Sequence, residues 1–335
     1  MNSIERMKKR LQGEVVDRPP NFDIFMTFAA HHIGKPLHDY YQDHRVLVEA
    51  NLAILNDFDV DIVQAISDPY REAADFGLDV EFPKNSLPIN HTPLIAAPED
   101  LLRLQPPEPA SGCRMSDRLE AIRFFREQVG GEVPIMGWVE GPFAEAVDLR
   151  GMTNLMMDLI ERPEWVEELL EICGQVAVKF ALAQMEAGAD MIGLGDAAAS
   201  QISPAMYRRF ALPYEQKIFE AVHAAGGLTR LHICGDTNKI VPDMVKSNAD
   251  IIDLDWMVDM GQAGDQFSDQ VSFNGNFDPV AVMLQGTSND VYQATIKSLR
   301  QGGVNSFSTA GCEIPDRTPV ENLHAQSRAL QEYSE

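Results

Sequence analysis

The residues with the most specific chemistry in this sequence are His232 and Cys234, in the run Leu231-His232-Ile233-Cys234-Gly235-Asp236, together with Cys312 in Gly311-Cys312-Glu313. Residues two apart on a β-strand leave from the same face, so the imidazole of His232 and the thiol of Cys234 can share one metal ion. Cys312 supplies a third ligand. One nitrogen and two sulfurs suit zinc, and three protein ligands leave a coordination position open, as a catalytic zinc site requires. Either residue alone would read as core: a satisfied buried histidine, or a buried thiol. The shared strand face, and Gly235, which lets the backbone turn beside the ligands, favour one zinc ion per chain.

Positioning such a site falls to eight short apolar segments that alternate with helices. The predicted strands are Phe22–Phe25, Val60–Ile66, Val133–Val139, Met191–Leu194, Thr229–Cys234, Asp250–Leu254, Val271–Asn274 and Val304–Ser308. Helical spacing of apolar residues predicts helices over 4–11, 46–55, 117–129, 155–160, 163–187, 204–225, 240–247, 280–284 with an extension over 290–300, and 320–331. Alternation of this kind means a parallel sheet, and eight strands close into a (β/α)8 TIM barrel, an α/β fold. No Gly-x-Gly-x-x-Gly turn follows any strand, which argues against an open dinucleotide-binding sheet. The expected organisation is one barrel domain over 1–335, with an N-terminal helical extension and a Pro-rich excursion at about 70–118, which contains Pro83, Pro88, Pro93, Pro98, Pro106, Pro107 and Pro109.

Active sites of such barrels lie at the C-terminal ends of the strands. Those ends carry Asp68, Glu140, Asp196, His232 with Cys234, Asp253 with Asp255, Asn274 with Asn276, and Cys312. We take Asp68, Glu140, Asp196 and Asp255 as catalytic candidates and Asn274 and Asn276 as candidates for cofactor binding, although Asp and Asn also cap helix starts.

A formal charge of −24 argues against nucleic acid as a partner, because phosphate binding needs clustered Lys and Arg. An anionic substrate must find a local positive group inside a negative envelope. No run of about 18 apolar residues occurs and the N-terminus carries no apolar stretch behind its positive charges, so a soluble cytoplasmic protein without a membrane partner is expected. Four cysteines do not make a disulfide framework. Cys173 falls in a helical apolar pattern with Trp165, Leu169, Ile172 and Val176 and reads as core; Cys113 reads as a bystander in a loop.

The chain resembles the uroporphyrinogen decarboxylase superfamily along nearly its whole length. The matching stretches are Leu11-x-Gly13-Glu14 with Asp17-Arg18-Pro19-Pro20, Gly141-Pro142-Phe143, Ser203-Pro204 with Leu212-Pro213-Tyr214, Asp255-Trp256, Gly275-Asn276-Phe277-Asp278-Pro279, Gly286-Thr287, and Gly311-Cys312 through Thr318-Pro319-x-Glu321-Asn322. The resemblance implies a (β/α)8 barrel of the uroporphyrinogen decarboxylase type. Ser67-Asp68 matches the position of the decarboxylases' catalytic aspartate. Their Met-Arg-Gln-Ala-Gly-Arg stretch, whose arginines hold the porphyrinogen's acids, has no counterpart in Phe25-Met26-Thr27-Phe28-Ala29-Ala30. Their pocket tyrosine falls at about Asp148 and their Gly-His-Gly histidine at Cys312.

Within the superfamily the chain is closer to the zinc-dependent methylcobamide:thiol methyltransferases, whose His-x-Cys…Cys motif matches His232, Cys234 and Cys312. That resemblance implies Zn²⁺ holding a thiol as thiolate, a methylcobamide (cobalamin) carried by a separate corrinoid carrier protein, and a small thiol such as coenzyme M as acceptor. No cobalamin-binding Asp-x-His-x-x-Gly stretch occurs in this chain. Glu140, Asp196 or Asp255 is expected to orient His232 or accept the thiol proton. Arg150 and Arg317 are the candidates, by position, for holding a sulfonate. The alternatives are methyl transfer from a donor such as an aryl methyl ether to the corrinoid, metal-free decarboxylation, and a binding protein of the same fold.

Overall fold

A computed structural model of the chain describes residues 1–334. Six parallel strands run in chain order: Val63–Gln64, Ile135–Glu140, Met191–Gly195, Leu228–His232, Ile251–Leu254 and Ser272–Gly275. Single backbone bridges continue the curl. Asn274 pairs with Phe307, and Ser308 pairs with Asn21; Asp61 N then donates to Asn21 O at 2.9 Å. The first and eighth strands of the barrel are thus present as short, irregular pairings that join the two edges of the sheet.

Every residue of the third, fourth, sixth and seventh strands is buried, as expected when helices cover the outside and side chains fill the inside. Trp138 takes up much of that interior. A Cβ at Gly193 would lie 2.2 Å from its ring, so the neighbouring strand makes room with glycine.

Register sets the site. Glu140 lies opposite Gly195, Gly195 opposite His232, His232 opposite Asp253, and Asp253 opposite Asn274. The strand ends therefore form one row around the mouth. The fifth strand stops at His232, not at Cys234: the His232–Asp253 pair is its last rung, and the next strand continues one residue further, to Leu254 opposite Gly275. Cys234 lies just beyond, where Gly235 turns with φ 97°.

At the opposite end the helix Ser3–Leu11 is started by a capping box between Asn2 and Glu5. It is pinned by Arg6, which reaches buried Asp61 at 2.6 Å. The proline-rich excursion folds into a helix, Arg71–Phe76, a two-stranded hairpin of Val80–Glu81 with Ile89–Asn90, and a 3₁₀ turn over Pro98–Arg103.

Several element boundaries differ from the sequence pattern. The helix expected from 117 begins at Cys113, because Asp75, distant in sequence, accepts hydrogen bonds from the N–H groups of Cys113, Arg114 and Met115. Cys113 is therefore the exposed first residue of a helix and not part of a loop. The helix expected over 204–225 is two, Pro204–Phe210 and Leu212–Ala224, broken at Ala211 ahead of Pro213, which has no N–H to continue the ladder. Helices at Thr27–His32, Leu37–Gln42, Pro142–Arg150 and Met260–Phe267 have patterns too short or too mixed to read. Cys173 is buried in its helix, as its pattern indicates. Among the described residues no helix is long and apolar enough to cross a membrane.

Candidate metal centre

His232 ends its strand with the ring turned into the barrel mouth. Its Nδ1 lies 2.8 Å from Asp253 Oδ2. Asp253 also takes Arg230 Nε at 2.8 Å and Asn274 Nδ2 at 2.8 Å on Oδ1. Burial opposes ionisation of Asp253, but Arg230 and His232 outweigh it and bring its pKa down to about 2. An ionised carboxylate only accepts, so Nδ1 of His232 is the donor and Nε2 is left pointing away from Asp253.

Nε2 meets two sulfurs. Cys234 Sγ lies at 3.0 Å and Cys312 Sγ at 3.7 Å, and the sulfurs are 3.6 Å apart. All three ligand atoms fall within 4.8 Å of one another. Cys312 reaches in from the loop after the eighth strand because Gly311 lies directly against the loop after the sixth. A Cβ there would sit 2.5 Å from Trp256 N.

Protons are divided unequally among the three. The hydrogen bond from Cys234, helped by His232 and opposed by burial, brings Cys312 down to about 4. The same bond, together with burial, pushes Cys234 up. Burial works against charge on His232, yet its hydrogen bonds to Asp253 and Cys312 carry it up to about 10.

The donor set fits zinc. Tetrahedral coordination at ordinary Zn–S and Zn–N lengths sets the sulfurs about 3.8 Å apart and each sulfur about 3.6 Å from the nitrogen. Two of the observed separations match within about 0.2 Å, and the third, Nε2 to Cys234, needs to open by roughly half an ångström.

A cavity of about 140 Å³ adjoins these atoms. Its apolar wall includes Ile24, Met26, Ile66 and Trp138, and its polar wall Asp68, Arg71, Glu140 and Glu313. Asp68 is bonded to Ser67 Oγ at 2.6 Å and ion-paired with Arg114. These charges overcome its burial and hold its carboxyl below the usual range.

Behind Glu140 lies a cluster that the sequence reading missed. Arg71 is fully buried and lies 3.4 Å from Glu140 and 3.6 Å from Glu72. Glu145 is buried with neither carboxyl oxygen bonded, and one oxygen of Asp148 is likewise unpaired. Burial first, and then the neighbouring carboxyls, push Glu140, Glu145 and Asp148 well above the ordinary carboxyl range. The sequence signal was Arg71-Glu72 one residue after Asp68-Pro69.

Other rim residues have different partners. None of Glu140, Asp196 and Asp255 bonds His232; that place belongs to Asp253, which the register puts directly opposite. Asp196 is fully buried, accepts from Ala144 N at 2.8 Å, and is raised by burial to about 7. Asp255 joins two loops, accepting from Gly235 N at 2.9 Å and Met257 N at 3.0 Å. Asn274 donates to Asp253, and Asn276 to the carbonyls of Asp255 and Val258 at 3.1 and 2.7 Å. Asn276 also borders a separate outer hollow of about 560 Å³ beside Trp256 and Phe277. Arg150 is tied to Asp158 at 2.8 Å and Arg317 is exposed, so neither borders the inner cavity.

Comparison with known proteins adds to this geometry. The family described as "Uroporphyrinogen decarboxylase (URO-D)" matches residues 2–333. A methylcobamide:CoM methyltransferase, MtbA, of Methanosarcina acetivorans is 37% identical over 217 residues, 64% of this chain and 63% of that protein. Its counterpart MtaA of Methanosarcina barkeri is 28% identical across 98% of this chain and 97% of its own length. A uroporphyrinogen decarboxylase of Nostoc punctiforme is 28% identical across 93% and 91%. Among solved structures, a methyltransferase from Methanosarcina mazei superposes with a TM-score of 0.90 at 26% identity, covering 99% of both chains.

Proposed function

The chain belongs to the uroporphyrinogen decarboxylase family, and from that premise we propose that it is a zinc-dependent methyltransferase moving a methyl group between a methylcobamide and a small thiol. The observation that carries this reading is the convergence of His232 Nε2, Cys234 Sγ and Cys312 Sγ within 4.8 Å beside a cavity at the barrel mouth. The relatives named methylcobamide:CoM methyltransferase support the reaction class.

His232, Cys234 and Cys312 would hold the zinc. Bound there, zinc would lower the pKa of a thiol taking the open position, making it nucleophilic at neutral pH. The chain's own groups do the rest. Asp253, fixed by Arg230 and Asn274, holds the imidazole in one tautomer and orientation. Asp255 ties the loop carrying Cys234 to the loop against which Gly311 packs. Trp138, with its ring centroid 6.2 Å from that of His232, covers one side and excludes water. Of the four candidate carboxyls, Glu140 and Asp68 border the cavity and Asp196 and Asp255 do not; Glu313 borders it too, so these three are in reach of a bound substrate.

Size separates the substrates. Pockets for drug-sized ligands run to roughly 300–1,000 Å³, so a cavity of about 140 Å³ suits a small thiol and is too small to enclose a tetrapyrrole. The corrin ring would then stay outside, presented at the mouth by a separate corrinoid carrier protein, and decarboxylation of a porphyrinogen is disfavoured on the same ground.

The test is the zinc content of the purified protein beside that of Cys312→Ala, followed by transfer from methylcobalamin to thiols. About one zinc per chain, lost in the variant, with methylation of a thiol, is the expected result. A wild type that takes up no zinc after incubation with the metal would overturn the proposal.

A further inference from the structure

Resting on the methyltransferase reading, we infer that the thiol used by this chain carries a cationic far end and not a sulfonate or carboxylate. The ligand atoms occupy one side of the inner cavity, so the rest of the substrate must lie against the remaining wall. Its polar groups are three carboxyls, Asp68, Glu140 and Glu313, and one guanidinium, Arg71.

The accessibility of these groups decides the sign. Arg71 has no exposed surface and already lies between Glu140 and Glu72, whereas Glu140 keeps 7% of its surface accessible. The carboxyl of Asp68 is engaged by Ser67, the Tyr70 N–H and Arg114. Glu313 is partly exposed, and Thr27 donates twice to its Oε1, at 2.6 and 2.7 Å. A substrate therefore meets Glu140 and Glu313 before it meets any positive charge. An ionised carboxyl repels an anion, while it accepts from an ammonium and compensates its charge, and an ammonium seated beside it favours the ionised form. The chain's charge of −24 acts in the same direction by concentrating cations at the mouth. Arg71 is the one group able to seat an anion, since its Nε and Nη1 make no hydrogen bond, but Glu140 would have to move to uncover it.

A series with one spacer tests this on the zinc-loaded protein with methylcobalamin as donor. The acceptors are 2-aminoethanethiol, 2-mercaptoethanol and 2-mercaptoethanesulfonate. Binding of the corresponding S-methyl thioethers, measured by calorimetry, removes differences in thiol reactivity and needs no corrinoid. Both the thioether affinity and kcat/KM are expected to fall from ammonium through hydroxyl to sulfonate, by about tenfold or more overall. Glu140→Gln, or Glu313→Gln should the first variant not fold, should narrow that span to within about threefold. A sulfonate bound as well as or better than the ammonium, with the preference lost in Arg71→Gln, overturns the inference and assigns Arg71 to an anion. Failure to methylate any of the three thiols overturns the methyltransferase reading instead, and the thioether affinities still decide the charge preference.

Discussion

The two ends of the barrel use the same side chains in opposite ways. At the end where the strands begin, Asp61 is buried with both oxygens engaged. Oδ1 takes Ser3 Oγ at 2.8 Å and Arg6 at 2.6 Å, and Oδ2 takes Arg18 at 2.6 Å and Asn21 N at 2.8 Å. At the end where the strands finish, Glu145 has no partner on either oxygen and Arg71 reaches Glu140 only at 3.4 Å. A satisfied buried ion cluster holds a fold together, while buried carboxyls left unpaired behind a cavity wall are the ordinary mark of a site adapted to something else. The satisfied cluster lies at one end and the candidate metal centre at the other, as the barrel architecture favours.

Removing a ligand should give the largest effect, and confine it to one end. His232→Ala or Cys234→Ala is expected to reduce methyl transfer at least about a thousandfold, with a melting temperature close to wild type when both are measured without added metal. A melting temperature that collapses along with activity would mean the mouth is structural too, and the contrast between the ends would fail.

Asp61→Ala is the converse change. It leaves Arg6 and Arg18 without their shared partner and should cost about 3–5 kcal/mol of folding stability, read by denaturant titration. The folded fraction should still take up one zinc per chain.

Asp253→Asn sharpens the comparison, because Asp253 is a carboxylate at the mouth engaged on both oxygens, as Asp61 is. Its expected effect is a 10–100-fold weaker zinc affinity, the usual range for a group that orients a metal-binding histidine. An unchanged zinc affinity would show that His232 needs no such support.

The smallest effect is a pH slope. The folded pKa of Glu145 is raised above its unfolded value, so the folded state binds the extra proton. Stability is then fully present below the ordinary glutamate value of about 4.3 and declines as pH rises from there toward the elevated folded value. Glu145→Gln should flatten the decline that sets in above about pH 4.3 by a few tenths of a kcal/mol per pH unit, because the proton is shared with neighbouring carboxyls and one group carries only part of the limiting slope of about 1.4.

Much of this was readable without coordinates. Ligand identity is a property of residue types and their spacing, so His232, Cys234 and Cys312 could be picked out directly, and the order of apolar segments announced the barrel. The partner of His232 could not be read. Asp253 stood among the strand-end residues, but only the register of two strands placed it opposite the imidazole while Asp196 and Asp255 became supports for neighbouring backbone. The helix at Cys113 was misplaced for a related reason: its cap, Asp75, lies on a separate element.

The sequence by itself determined the parallel barrel and the three residues of the candidate metal centre, because period, spacing and ligand chemistry are local properties. Only the tertiary structure decided which carboxyls face the cavity, which charge lies hidden behind them, and which aspartate holds the histidine. Register, burial and the low dielectric that moves pKa values arise between segments far apart in the chain, and no window of sequence contains them.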